Sequence, residues 1–259
     1  MVEEKWRLLN LEFKDPYFNM AVEEAVATKV GEKTTPNTIR FWRSPNSVVI
    51  GCFQAVPLEV DLEECKKHGT KIVRRFTGGG AVYHDWGNLN YAVAVYKGSS
   101  FVQRNSFGTY AALSRGVVSS LESLGIPAQV VEPNCVAVRG RKVSGAAGSM
   151  LGGSVFYHGS ILVNSDLALL SRVLHTEINE SEVSGVRSVP KEVTNLTVEL
   201  GRDLKMSEIR KALREGFELT YGMQLVEGGL SPEETELAQT FYRTKYSTDD
   251  WNLHGHEPT

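Results

Sequence analysis

The sequence predicts an α/β (α+β) fold in which a mixed β-sheet is flanked by helices, and three observations predict it. Leu89, Tyr91, Val93 and Val95 alternate with Asn90, Ala92, Ala94 and Tyr96, the period of two expected of a strand with one buried face. Tyr110, Leu113, Val117, Leu121 and Leu124 recur by three and four and stop at Gly125, which is the pattern of an amphipathic helix. Strand-type and helix-type segments then interleave with no repeat, low-complexity tract or long linker, which fits one domain over residues 1–259 better than two separable ones.

In chain order, Asp15-Pro16 reads as an N-cap followed by proline at the first helical position, and Phe18, Val22, Ala25 and Val26 continue a helix over roughly 16 to 30. Two short β-type runs follow, Thr38 to Trp42 and Ser47 to Ile50, and then a charged helix from about Leu58 to His68 that stops at Gly69. Lys71-Ile72-Val73 is a strand that delivers the chain into a glycine segment, and the strand at 89–95 receives it. After the helix ending at Gly125 come short β-type runs at Gln129 to Glu132, Val136 to Val138, Lys142 to Gly145 and Val155 to Val163. The last third is helical: Leu167 to Leu174, Ser207 to about Thr220, and a helix opened by the capping box of Ser231 and Glu234. Glu177 to Val193, with Pro190, is the least regular stretch and is expected as a mobile loop near the site.

With 259 residues, 41% hydrophobic and 23% charged, the chain can bury a real core. A net charge of −3 gives no global attraction to nucleic acid or an anionic membrane, so any anion must be held by local cations. The start, Met1-Val2-Glu3-Glu4-Lys5-Trp6, lacks a basic region and apolar run, and no stretch of about 18 apolar residues occurs, which together predict a soluble cytoplasmic protein. Three cysteines without a Cys-x-x-Cys pair, and no His-Glu-x-x-His, argue against a disulfide framework or a zinc site.

The chemistry concentrates between residues 74 and 85. Arg74 and Arg75, Thr77, the triglycine Gly78-Gly79-Gly80, then Ala81, Val82, Tyr83, His84 and Asp85 put cations, a hydroxyl and unobstructed backbone N–H groups in one short segment. Glycines let amides approach an anion with no Cβ in the way, and arginine offers a forked, permanently charged donor. A phosphorylated ligand is the expectation. The P-loop, dinucleotide-binding and Gly-x-Ser-x-Gly patterns are all absent.

Lys142 lies among small residues, Ser144, Gly145, Ala146, Ala147 and Gly148. It is either a solvated hairpin lysine or a cation in a pocket left by those small side chains, where it would suit a carboxylate or phosphate. His84 and His158, the latter followed by Gly159, are either structural or line the site. Asp85 is a turn residue, an orienting partner for His84 or a metal ligand. Cys135 is a small buried hydrophobe or an acyl-thioester nucleophile.

The segment from Arg74 to Tyr91 resembles the signature of the lipoate-protein ligase A family within the wider biotin/lipoate ligase superfamily. Gly140 to Gly145 and Tyr157 to Val163 resemble its second and third blocks in the same order, and the resemblance also takes in Val49 to Gln54 and Lys245 to Asn252. It implies a class II biotinyl/lipoyl-ligase-like catalytic domain and a two-step reaction. Lipoate attacks ATP to give lipoyl-AMP, and the lipoyl group passes to a lysine of an apo lipoyl carrier domain, such as that of a 2-oxoacid dehydrogenase E2 or a glycine-cleavage H protein. By motif, Lys142 would be catalytic, bridging carboxylate and phosphate. Arg75, Thr77, Gly78, Gly79, Gly80, Ala81, Val82, Tyr83, His84, Ser144, Gly145, Ala146, Ala147, His158 and Gly159 would hold the acyl-adenylate, with Mg²⁺ as a further cofactor and Asp85 as its candidate ligand.

Two departures from the family pattern qualify these expectations. Asn134-Cys135 stands where related ligases carry Asn-Asp, which removes a carboxylate suited to Mg²⁺. The chain also ends soon after the Trp251-Asn252 block, resembling the archaeal split type that relies on a separate small accessory subunit. The alternatives are an octanoyl or lipoyl transferase acting through Cys135 without ATP, and a lipoyl-adenylate binding protein that does not transfer its ligand.

Overall fold

The computed structural model describes residues 4–102, 106–132, 134–175 and 186–257. Two sheets carry the architecture. Strands β1 (Glu4–Asn10), β2 (Thr38–Trp42), β6 (Asn88–Tyr96), β7 (Ala128–Glu132), β8 (Cys135–Val138), β9 (Arg141–Leu151), β10 (Ser154–Leu162) and β11 (Met223–Glu227) form an eight-stranded mixed sheet in the order β11-β1-β2-β6-β10-β9-β8-β7. Strand β3 (Ser47–Ile50) pairs parallel with β4 (Lys71–Arg74) and antiparallel with β5 (Val82–His84) in a small second sheet.

The period of two at residues 89–95 sorts side chains to the two faces of the large sheet. Leu89, Tyr91, Val93 and Val95 join Leu113, Val117 and Leu121 of α4 (Ser106–Ser123) and Ile209, Leu213 and Phe217 of α7 (Met206–Tyr221) in the largest core. Ala92 and Ala94 face the other way, onto Val22, Ala25 and Val26 of α1 (Pro16–Gly31). The strand is therefore buried on both faces, where one was expected, because α1 covers the alanine side; small side chains there let a helix lie close to the sheet. Helix α1 is set as its sequence indicates, with Asp15 accepting hydrogen bonds from the amides of Tyr17 and Phe18 and Pro16 opening the first turn.

The expected helix over 58–68 is instead two, α2 (Val56–Glu59) and α3 (Leu62–His68). Asp61 caps α3 by accepting from the Glu64 amide, and Val60 is extended and bridges to Leu174, so the chain cannot run through as one helix. The run expected at 142–145 is part of the eleven-residue β9, since the small residues after Lys142 continue the strand. Helices α5 (Leu167–Val173) and α8 (Pro232–Phe241) occur where expected, and α6 (Leu196–Leu200) is short.

The small sheet is fastened to the C-terminal segment by Arg74. Its amide donates to Asn252 Oδ1 (2.9 Å), its carbonyl accepts from Trp251 Nε1 (2.9 Å), and its guanidinium donates to the carbonyls of Trp251 (2.8 Å) and Gln54 (2.6 Å). Among the described residues no helix is long and apolar enough to cross a membrane.

Candidate functional site

The glycine segment joins β4 to β5 and leaves the small sheet toward the α1 side of the large one. Arg75 shapes it from inside. Its Nε donates to Thr77 Oγ1 (3.0 Å), one Nη to the carbonyls of Gly78 (2.6 Å) and Gly80 (2.8 Å), and the other to the carbonyl of Val49 (3.1 Å). Turning carbonyls inward in this way frees amides on the opposite side of the loop, while burial lowers the Arg75 pKa only to about 10 and leaves it cationic at neutral pH. Gly79 has φ of +88°, and a Cβ there would lie 3.1 Å from the Arg75 guanidinium and 3.2 Å from Ala147 Cβ. The triglycine thus packs directly on β9, whose Lys142 opens the same strand.

Between these elements lie two chambers that share a wall. The first, of about 220 Å³, is lined by Met20, Glu23, Trp42, His84, Asn90 and His158 at one end and by Asn134, Cys135 and Lys142 at the other. The second, of about 390 Å³, is lined by Tyr83, Leu162, Leu170, Leu174, His175 and Pro190. Ala81, Val82, Lys142, Gly145 and Ser160 line both, so the lysine sits where the chambers meet. Its side chain lies over Gly145, where a Cβ would come within 2.6 Å of Nζ. Among the described residues Nζ makes no hydrogen bond or ion pair, and burial lowers its pKa. A desolvated, unpaired ammonium in a cavity calls for an anion.

A buried hydrogen-bond chain braces the first chamber. Thr77 Oγ1 meets His158 Nε2 (2.7 Å), His158 Nδ1 meets Glu23 Oε2 (2.6 Å), and Trp42 Nε1 donates to Glu23 Oε1 (2.9 Å). Through it α1, β2, β10 and the glycine segment hold one another in register. The structure thereby assigns Thr77, which is fully buried, to the frame of the site.

Of the expected site residues, Arg75, Gly80, Ala81, Val82, His84, Lys142, Gly145, Ala146, Ala147, His158 and Gly159 line the first chamber, and Tyr83 and Ser144 the second. Gly78 and Gly79 form the bend behind them. Asp85 belongs elsewhere: one carboxylate oxygen accepts from the Gly87 amide (2.7 Å) and the other from the Asp166 amide (2.8 Å), the turn role, and it lines neither chamber. Asp85 therefore serves as a turn residue in this structure.

Of the loop expected at 177–193, residues 177–185 lie outside the described residues, and 186–193 run along the cavity. Ser188 Oγ accepts from the Ala81 amide (2.7 Å) and donates to Glu59, whose other oxygen takes the Ser188 amide (2.9 Å). The Lys142 amide donates to the Glu192 carbonyl (2.8 Å). Glu23, Trp42, Asn90, Glu59 and Ser188 went unread in the sequence. Glu23 alone carried a signal, as one of two adjacent carboxylates, Glu23 and Glu24, in the otherwise apolar run from Met20 to Ala27 of a buried helix.

All three cysteines have thiols shifted upward by burial: Cys52, Cys65 to about 11, and Cys135, which is 2% exposed and lines the first chamber.

Comparison with known proteins places the chain in a family. Residues 15–218 match the model of the lipoyl protein ligase A/B catalytic domain. The chain is 35% identical to lipoate-protein ligase A subunit 1 of Thermoplasma acidophilum, over 95% of this chain and 96% of that protein. It is 31% identical to the octanoyltransferase LipM of Brevibacillus brevis, over 96% and 99%. Among solved structures it superposes with a TM-score of 0.86 on a chain of the bipartite lipoate protein ligase and E2 lipoyl domain system of T. acidophilum (33% identity, 99% of each chain). The TM-score is 0.85 for a lipoate-protein ligase A bound with ATP (32% identity, 97% and 100% covered) and 0.83 for a T. acidophilum protein with bound lipoic acid (33%, 96% and 99%). A family model that spans most of the chain, and relatives above 30% identity over nearly all of it, lead to one conclusion: this protein belongs to the lipoyl protein ligase A/B catalytic-domain family, the enzymes of lipoate ligation and octanoyl transfer.

Proposed function

We propose that the protein is an ATP-dependent lipoate-protein ligase. The observation that carries this reading is Lys142 at the junction of two chambers, one lined by buried Trp42 and Asn90, the other lined in part by the apolar side chains of Leu162, Leu170 and Leu174, which would suit a nucleoside. An acyl chain in the first and a nucleotide in the second would bring carboxylate and α-phosphate together at the ammonium. The cation offsets the repulsion of two anions and stabilises the pentacoordinate phosphorus as charge builds on its oxygens. A carboxylate oxygen bonds to the α-phosphorus as pyrophosphate leaves. The amine of a carrier lysine then attacks the acyl carbon and AMP leaves.

Mg²⁺ has no ready cage here. Among the described residues no three His, Cys, Asp or Glu side chains cluster to hold a metal, Asp85 is committed to its turn, and position 135 is cysteine. Such an ion would come with the nucleotide phosphates, and no step is assigned to it.

The transferase reading draws on the LipM relatives and on Cys135 beside Lys142. Against it, a thiol nucleophile is activated by a lowered pKa, and burial raises that of Cys135. The bipartite relative supports a lipoyl domain as acceptor and a separate accessory subunit as a partner. The test is the mass of an apo lipoyl domain after incubation with the protein and lipoate, with and without ATP and an accessory subunit. A lipoyl mass gain only with ATP supports the ligase. A gain from an octanoyl carrier without ATP, lost in Cys135→Ser, supports the transferase.

A further inference from the structure

The floor of the first chamber is a single row across five strands. Trp42 pairs with Asn90, Asn90 with Ser160, Ser160 with Gly145, and Gly145 with Cys135. Directly paired residues point to the same face of a sheet, and all five line the chamber. The Lys142 ammonium lies over Gly145. Asn90 is two strands further on, about 10 Å away at roughly 4.8 Å per strand, the reach of a medium-length acyl chain whose carboxyl end is held at the lysine.

That far end is not apolar. Asn90 is 2% exposed, and among the described residues neither its Oδ1 nor its Nδ2 has a hydrogen-bond partner. His84, 5% exposed and edge-on to the Trp42 ring at 5.8 Å, likewise leaves Nδ1 without one. Glu23 and His158, also at this end, are bonded to each other, and Trp42 Nε1 donates to Glu23. A buried amide without a partner is unfavourable, and a hydrocarbon tail ending against it would keep it so.

We propose that Asn90, with His84, makes the far end of the acyl chamber a polar subsite that selects an acyl group ending in sulfur, lipoyl, over one ending in methyl, octanoyl. This rests on the reading of the cavity as an acyl site. The dithiolane sulfurs are weak acceptors for the Asn90 N–H groups, and they are polarizable enough to pack on the Trp42 ring. Burial drives the His84 pKa down to about 3, so its imidazole is neutral and its Nδ1 is available as donor or acceptor. Sites built to hydrogen-bond a ligand atom reject analogues that lack it more strongly than apolar pockets reject a missing methylene.

The experiment is calorimetric titration of the full-length protein with lipoate and with octanoate, without ATP, in wild type and Asn90→Leu. The subsite predicts lipoate binding tighter than octanoate by about tenfold or more in wild type, and a preference reduced to about threefold or less in the variant as octanoate gains. Equal binding of the two acids by wild type, an unchanged ratio in folded Asn90→Leu, or failure of wild type to bind lipoate at all would overturn it. Should Asn90→Leu not fold, wild type alone decides: an octanoate analogue with a terminal hydroxyl must bind several-fold more tightly than octanoate, and equal binding rejects the subsite. A retained binding preference with no carrier acylation would remove the ligase reading and leave the subsite. Equal carrier acylation from both acids would do the reverse.

Discussion

Replacing Lys142 by alanine removes one charge from the point where the chambers meet, and Coulomb's law sets the scale of the effect. With the ammonium about 4 Å from the oxygens that gain charge and an effective dielectric near 20, the interaction is about 4 kcal/mol. At about 1.36 kcal/mol per factor of ten that is close to 10³-fold, and partial solvation of the lysine brings the expected loss to about 10²- to 10³-fold. The fold should survive. The ties of residue 142 to the neighbouring segment are backbone ones, its amide to the Glu192 carbonyl (2.8 Å) and its carbonyl from the Thr194 amide (3.0 Å), and alanine keeps both. Deleting a partly buried ammonium with no ion-pair partner among the described residues also relieves some unfavourable desolvation. The assay is the rate of lipoyl-adenylate formation at saturating lipoate and ATP, with a thermal melt of the same preparation. Activity within about threefold of wild type would refute the role of Lys142, and a loss that only tracks a lower melting temperature would refute the electrostatic reasoning. Because burial lowers the lysine's pKa, wild-type activity should also decline with rising pH earlier than an ordinary lysine would allow, as the cation is lost.

Gly79→Ala places a Cβ at φ of +88° and within 3.2 Å of Ala147, so it should destabilise by about 1 to 2 kcal/mol and abolish adenylation, read by melting and activity together. Wild-type activity in it would mean that the bend is not needed. Cys135→Ser should keep most ATP-dependent activity, measured as carrier mass, and its loss would restore the thioester route. His84 has its pKa lowered from 6.5 to about 3 by burial. The unfolded chain therefore binds a proton that the folded one does not between those values, and stability falls as pH drops through that window, by up to a few kcal/mol. His84→Phe should flatten that acid limb in urea titrations across the same pH range, and an unchanged slope would show the group is not responsible.

Most of the fold was legible where side-chain period and burial coincide. Residues 89–95 and the helix ending at Gly125 read correctly because each presents a continuous apolar face to a core. Strands β1 and β11 escaped, since Glu4–Asn10 and Met223–Glu227 mix charged and apolar residues and pair in parallel with partners more than 200 positions apart in sequence, which no local pattern carries. The break at Val60 depended on a bridge to Leu174, equally non-local. For the site, the triglycine and Lys142 could be found because glycine freedom and an isolated cation are unusual by themselves. The brace of Glu23, His158 and Thr77 joins residues on three separate elements, and Asn90 looked like the polar half of an alternating strand. Only the register across the large sheet turns it into the end of a pocket.

In the proposed reaction one ammonium serves both halves of an acyl-adenylate. The most direct measurement is a crystal structure of the protein with a non-hydrolysable lipoyl-adenylate analogue. The acyl chain should run from Gly145 toward Asn90, with the nucleoside against Leu170 and Leu174 and Lys142 Nζ within hydrogen-bond reach of both the acyl oxygen and the phosphate mimic. An analogue bound with Lys142 turned away, or with its acyl chain outside the chamber of Trp42 and His158, would contradict it.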